Sequence, residues 1–200
     1  TLPASLQNLE DNAFGKCDSL QHITVRQWNF PQGFPGTDLH TNLIFLNETG
    51  EILAVLFYSN DWRRFLQGGR ARMLLSLFDA PGKIDFREYD ACLPLLKDKE
   101  DQAHFVLNRL LYPLGLSETK KAEYENYILQ HPENILNIVI KHDMEDAALL
   151  LCRNGLLTDH SMELAISMSS RRSKTALLLI FLNHKQNTPS AASPDQLFKL

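Results

Sequence analysis

The sequence predicts an α+β, mostly helical chain in which one repeat-type coil and a β-hairpin lead into stacked antiparallel helical hairpins, an α-solenoid. Three observations carry this. Apolar residues at the N-terminus recur with the uneven spacing of a solenoid coil, not at a plain helix or strand period. Two apolar runs then flank a short turn that contains glycine. From Asp61 onward the apolar period changes from two to about three and a half.

The coil is written by Leu2, Pro3, Ser5, Leu6, Leu9, Ala13, Phe14, Cys17, Leu20, Ile23 and Val25. Its end alternates like a strand, with Ile23 and Val25 inward and His22, Thr24 and Arg26 outward. This is a leucine-rich-repeat unit, within the roughly 20–29 residues of that class. The spacing resembles the BspA-like leucine-rich repeats of bacteria, which read L-P-x-S-L-x-x-I-x-x-x-A-F-x-x-C-x-x-L-x-x-I. That resemblance implies an architecture and no catalytic residue. One unit cannot bury its own apolar face, and such arrays need several. The coil is therefore read as the end of an array whose earlier units lie upstream of Thr1. A lone repeat edging a helical domain is the alternative.

Residues 26–42 carry Pro31, Gly33, Pro35 and Gly36 and read as a loop. Strands follow over 43–46 and 52–57, joined by Asn47-Glu48-Thr49-Gly50, a hairpin expected to pair with or cap the last repeat strand. Helices are predicted over 62–67, 70–78, 86–96, 99–111, 118–130, 133–141, 144–154, 159–169 and 171–183. Pro81-Gly82, Pro113 with Gly115, Pro132, and Gly155 supply the stops, and Ser117 and Thr158 supply N-cap chemistry. Three segments result: 1–59, repeat unit plus hairpin; 60–184, helical repeats; and 185–200, a tail rich in Asn, Pro, Ser and Ala.

The last four helices contain an echo. Ile138 and Ala148-Leu149-Leu150-Leu151 return 28 positions later as Ile166 and Ala176-Leu177-Leu178-Leu179. A short helix, a tight turn and a second helix carrying A-L-L-L are similar to an ankyrin helix pair, although T-P-L-H is missing. The second helices, 144–154 and 171–183, are expected side by side on one core. More widely, Ile84 to Asp90, Leu96 to Asp101, Pro113 to Ser117 and Asp143-Met144-Glu145 resemble a helical region that follows leucine-rich repeats in some Firmicutes proteins. The resemblance implies a repeat-built interaction protein.

Composition sets bounds. With 200 residues, 44% hydrophobic and 22% charged, there is core material for one domain or two small ones. A net charge of −4 gives no global basic field to hold nucleic acid or an acidic membrane. The longest apolar run, 176–182, falls far short of the roughly 20 residues of a membrane-spanning helix, so no membrane insertion is expected. Cys17, Cys92 and Cys152 are odd in number and sit in apolar patterns, so buried, unpaired thiols are expected. A reducing compartment, the cytoplasm, fits them, with a bacterial cell surface as the alternative.

Chemistry is sparse. The seven histidines form no H-E-x-x-H and no H-x-H, and neither Asp38 with His40 nor Cys17 with His22 makes a metal set. No phosphate-binding or nucleophile-elbow motif occurs. Two local patterns point elsewhere. Asp79, Asp85, Glu88 and Asp90 offer carboxylates for a hydrolase, though acids at helix starts are also expected for the macrodipole. Arg63, Arg64, Arg70 and Arg72, with Trp62 and Phe65, offer a nucleic-acid patch, though such residues also build ordinary helix surfaces. No catalytic residue, metal or cofactor is assigned. The favoured expectation is a non-catalytic scaffold that binds a protein partner, with His22, Thr24 and Arg26 on the binding face. An exposed edge at Leu2, Leu6, Leu9 and Phe14 is further expected to pair with a copy of itself as a homodimer.

Overall fold

The computed structural model describes residues 1, 17, 20, 22–26, 41–47, 49–58 and 86–187. The side chains of Val25, Arg26, Thr41, Tyr58 and Glu88 lie outside that description. So do Leu2, Leu6, Leu9 and Phe14, where a repeat core is predicted, the segments predicted helical over 62–67 and 70–78, and the residues after Asn187. The described chain is α+β and mostly helical. It forms two compact units, Thr1–Ile128 and Leu129–Leu200. Residues 86–128 belong to the same unit as the strands.

In the first unit, β1 (His22–Arg26), β2 (Thr41–Leu46) and β3 (Ile52–Tyr58) form a sheet in that order. β1 runs parallel to β2, and β2 pairs antiparallel with β3, so the predicted hairpin pairs with β1 through its first strand. The register places Ile23 beside Leu43 and Leu43 beside Leu56, one row with all three buried. Asn47 organises the hairpin turn: its carboxamide oxygen accepts from the Glu51 backbone N–H at 2.8 Å and from the Thr49 hydroxyl at 2.7 Å.

Helix α1 (Phe86–Asp90), a 3₁₀ turn (Leu93–Leu95), α2 (Lys99–Leu111) and α3 (Glu118–Gln130) follow. The single helix predicted over 86–96 is therefore broken, since Pro94 has no N–H to continue α1. α2 starts where Asp98 caps it, accepting from Glu100 N at 2.6 Å and Asp101 N at 3.4 Å. From Ala103 to Leu110 only His104 is not buried, so α2 is the central helix of the unit and packs on β3.

The second unit holds α4 (Pro132–Lys141), α5 (Glu145–Arg153), α6 (Asp159–Arg171) and α7 (Thr175–Asn187). Pro132 opens α4, where its missing N–H costs nothing. α4 packs against α6, α5 against α7, and each helix against its hairpin mate. The sequence echo at 28 positions is not the structural one. Asp143 (φ 51°) and Ser173 (φ 56°), thirty positions apart, both take the left-handed conformation after a helix. Each is followed by the same closing bond: Met144 N to Val139 O and Lys174 N to Ser169 O, both 2.9 Å. In this register Ile135 matches Ala165, Val139 matches Ser169, Ala147 matches Leu177 and Leu151 matches Phe181, all at 0% exposure. Under the 28-position match, Leu151 at 0% would correspond to Leu179 at 53%. The last helix accordingly begins at Thr175, and 171–174 belong to the end of α6 and its turn.

Candidate functional site

The predicted binding residues lie on β1. His22 is exposed and Thr24 half-exposed, on the side opposite buried Ile23, as alternation requires. Arg26 ends the strand; its side chain lies outside the described residues. Cross-strand register carries the face onward from His22 to Asn42 and from Asn42 to Phe57. There α2 closes it. Asn108 Nδ2 donates to Asn42 Oδ1 at 2.7 Å, and the His104 ring stacks on Phe57 with centroids 5.5 Å apart. The outward face is therefore exposed at His22, half-exposed at Thr24, Asn42, Ile44 and Leu46, and covered by α2 at Phe57. Sequence alternation located the face but carried no sign of its cover.

Helices α1, α2 and α3 share a buried polar cluster. Arg109, fully buried in α2, meets Asp90 at the end of α1 with Nε to Oδ1 at 2.7 Å and Nη2 to Oδ2 at 3.2 Å. Tyr124 of α3 donates to the same Oδ1 at 2.8 Å. The remaining guanidinium nitrogen, Nη1, donates to the carbonyls of Tyr112 (3.3 Å) and Leu114 (3.1 Å), and the guanidinium carbon stands 4.5 Å from the Phe86 ring centroid. The turn these carbonyls belong to depends on Gly115, with φ +65°, where a Cβ would come within 2.5 Å of Phe86. Tyr89 stacks on Phe105 at 4.5 Å and donates to the Phe57 carbonyl at 3.0 Å, tying α1 to the sheet. Burial pushes the phenols of Tyr89 and Tyr124 well above the usual tyrosine range, and the neighbouring Asp90 charge raises Tyr124 further.

This cluster is saturated with internal partners. It pins α1, α2 and α3 together, with Asp90 bound on both oxygens. Of the acidic quartet, Asp79, Asp85 and the Glu88 side chain lie outside the described residues. Arg63, Arg64, Arg70, Arg72 and Trp62 also lie outside, as do Asp38 and His40. No cluster of three or more metal-ligating side chains occurs among the described residues. Among them, too, no helix is long and apolar enough to cross a membrane.

The cysteines divide. Cys92 and Cys152 are buried and in no disulfide, and burial lifts the Cys152 thiol to about 11. Cys17 is exposed, contrary to its expected place in the repeat core. Its carbonyl accepts from Leu20 N at 2.8 Å, so it opens a tight turn.

Comparison with protein-family models, with curated proteins and with solved structures returns no match.

Proposed function

We propose that this chain is a non-catalytic repeat scaffold that binds a protein partner. In this reading β1 is the closing strand of a leucine-rich, BspA-like array, β2 and β3 cap it, and the helices of the second unit are ankyrin-like stacked hairpins. The observation that carries it is the thirty-position register of the second unit. Two helix–turn–helix pairs with matching left-handed caps bury corresponding residues and pack first helix on first, second on second. Stacked hairpins of this kind expose long surfaces, and binding is their usual use. The parallel pairing of β1 with β2 supports the other half, since successive coils of an array present parallel strands.

The binding face is assigned to β1, at His22, Thr24 and Arg26, on the side that carries exposed His22 and half-exposed Thr24. The full chain, immobilised, should capture a protein that binds it directly when both are pure, as measured by calorimetry. Exchanging His22→Glu and Thr24→Arg together should weaken that binding at least tenfold, about 1.4 kcal/mol. Binding that is indifferent to both changes contradicts the assignment. Turnover of a substrate by the full chain contradicts the non-catalytic reading.

A further inference from the structure

The thirty-position register sets buried residues of one hairpin against open ones of the next. Leu136, Ala148 and Cys152 of α4 and α5 are buried, while their counterparts Ile166, Leu178 and Leu182 of α6 and α7 are half-exposed. Packing gives the reason. α6 lies on α4 and α7 on α5, so the first hairpin carries a neighbour, and the second repeats that side without one. A hairpin that ends a stack ordinarily turns a polar side outward. This one keeps Ile166, Leu178 and Leu182 there. What covers the equivalent side of the first hairpin is an antiparallel helical hairpin, and the same kind of cover fits the second.

The charges narrow it further. The first turn is acidic, with Asp143, Glu145 and Asp146 against Lys141. The second is basic, with Arg171, Arg172 and Lys174, and no Asp or Glu occurs from Leu164 to His184. The two turns meet: Lys174 pairs with Asp143, and Arg172 Nη2 donates to Asn137 Oδ1 at 2.7 Å. Asn137 is neutral, and among the described residues no carboxylate pairs with Arg171 or Arg172. A basic turn thus sits on an acidic one, and the complement to its far side is again acidic. Ser170 stands exposed where the first hairpin buries Ile140, which suits a face that is bare part of the time.

We propose that the end face of α6 and α7, at Ile166, Leu178 and Leu182 with Arg171 and Arg172 at its turn, docks a partner protein through an antiparallel helical hairpin whose turn is acidic. This is a second surface besides β1, and it rests on the stacked-hairpin half of the scaffold reading.

The chain's own acidic-turn hairpin serves as the probe, as a copy of residues 131–157 appended after Leu200 with 188–200 as tether. In a Cys17→Ser background, alkylation of Cys152 and of its counterpart Leu182→Cys is followed by peptide mass spectrometry. Without the copy, buried Cys152 should react slowly and Leu182→Cys fast. The copy should slow Leu182→Cys at least about tenfold, since the tether holds it at an effective concentration on the order of millimolar. Asp143→Lys, Glu145→Lys and Asp146→Lys within the copy should restore the fast rate. Cys152 reacting as fast as Leu182→Cys would sink the stacked-hairpin reading itself. With Cys152 protected, a Leu182→Cys that the copy does not slow overturns this proposal alone. Equal slowing by the lysine copy also overturns it, because the cover is then not chosen by charge. So does a Leu182→Cys that is slow without the copy and fast once the chain is cut after Asn187, which gives the face to the chain's own C-terminal residues. A rate that falls as the full chain is concentrated overturns it in favour of a second copy. Should Leu182→Cys lose its helical signal in circular dichroism, Leu178→Cys reports in its place with the same outcomes.

Discussion

Arg109 and Asp90 form a two-pronged ion pair with side chains 0% and 3% exposed, at 2.7 and 3.2 Å, and it joins α2 to α1 inside the first unit. A buried pair of this kind is not a large source of net stability, because desolvation offsets most of the attraction. Losing one partner is another matter, since the other charge is then stranded.

Asp90→Ala should therefore cost about 3–5 kcal/mol in chemical denaturation. Adding Arg109→Met to it should recover part of that loss. A single-variant loss below about 1 kcal/mol would show that the pair is hydrated in solution.

Tyr89, Tyr124 and Tyr127 are all held above the usual tyrosine range, in each case chiefly by burial. Their folded values lie above the unfolded value of about 10. The stability they contribute is whole below about pH 10 and is lost as pH rises beyond it, where the unfolded chain releases its phenolic protons first. A spectrophotometric titration should show these three ionising together with alkaline unfolding. Smooth, reversible ionisation of every tyrosine near pH 10 with the fold intact would contradict their placement.

The first unit was legible where a short rule sufficed. Alternation at His22, Ile23 and Thr24 placed β1, Asn47 to Gly50 placed the hairpin turn, and α2 and α3 span the residues that the apolar period predicts. The Arg109–Asp90–Tyr124 cluster was not legible, because its members lie on three helices and burial is a property of their packing. The only hint was an arginine inside the apolar run Phe105 to Leu111. In the second unit the matching letters A-L-L-L misled. Identical leucines do not say which one faces inward, and Ser173 adopts a left-handed turn that sequence reading assigns to glycine.

Ser173 and Ser169 convert that register into numbers. Ser173→Gly should stabilise by up to about 1 kcal/mol, by relieving a left-handed conformation that costs an L-residue roughly 1–2 kcal/mol. Ser169 occupies the position of Val139, fully buried, and among the described residues its Oγ has no hydrogen-bond partner. Ser169→Ala should therefore stabilise by about 1 kcal/mol. Thermal unfolding that moves downward for both variants would mean that the turn and the buried serine are arranged differently.

The scaffold reading rests most directly on the hairpins of the second unit being interchangeable modules. A second copy of residues 145–174 placed directly after Lys174 tests this, since Lys174 then precedes a new Glu145 as Met144 precedes the first. Stacked modules exchange neighbour contacts alone, so the lengthened chain should fold. Circular dichroism should show one further hairpin's worth of helix, with a single cooperative thermal transition at or above that of the parent chain. A lengthened chain that gains no helix, or that loses cooperative unfolding, would contradict the account.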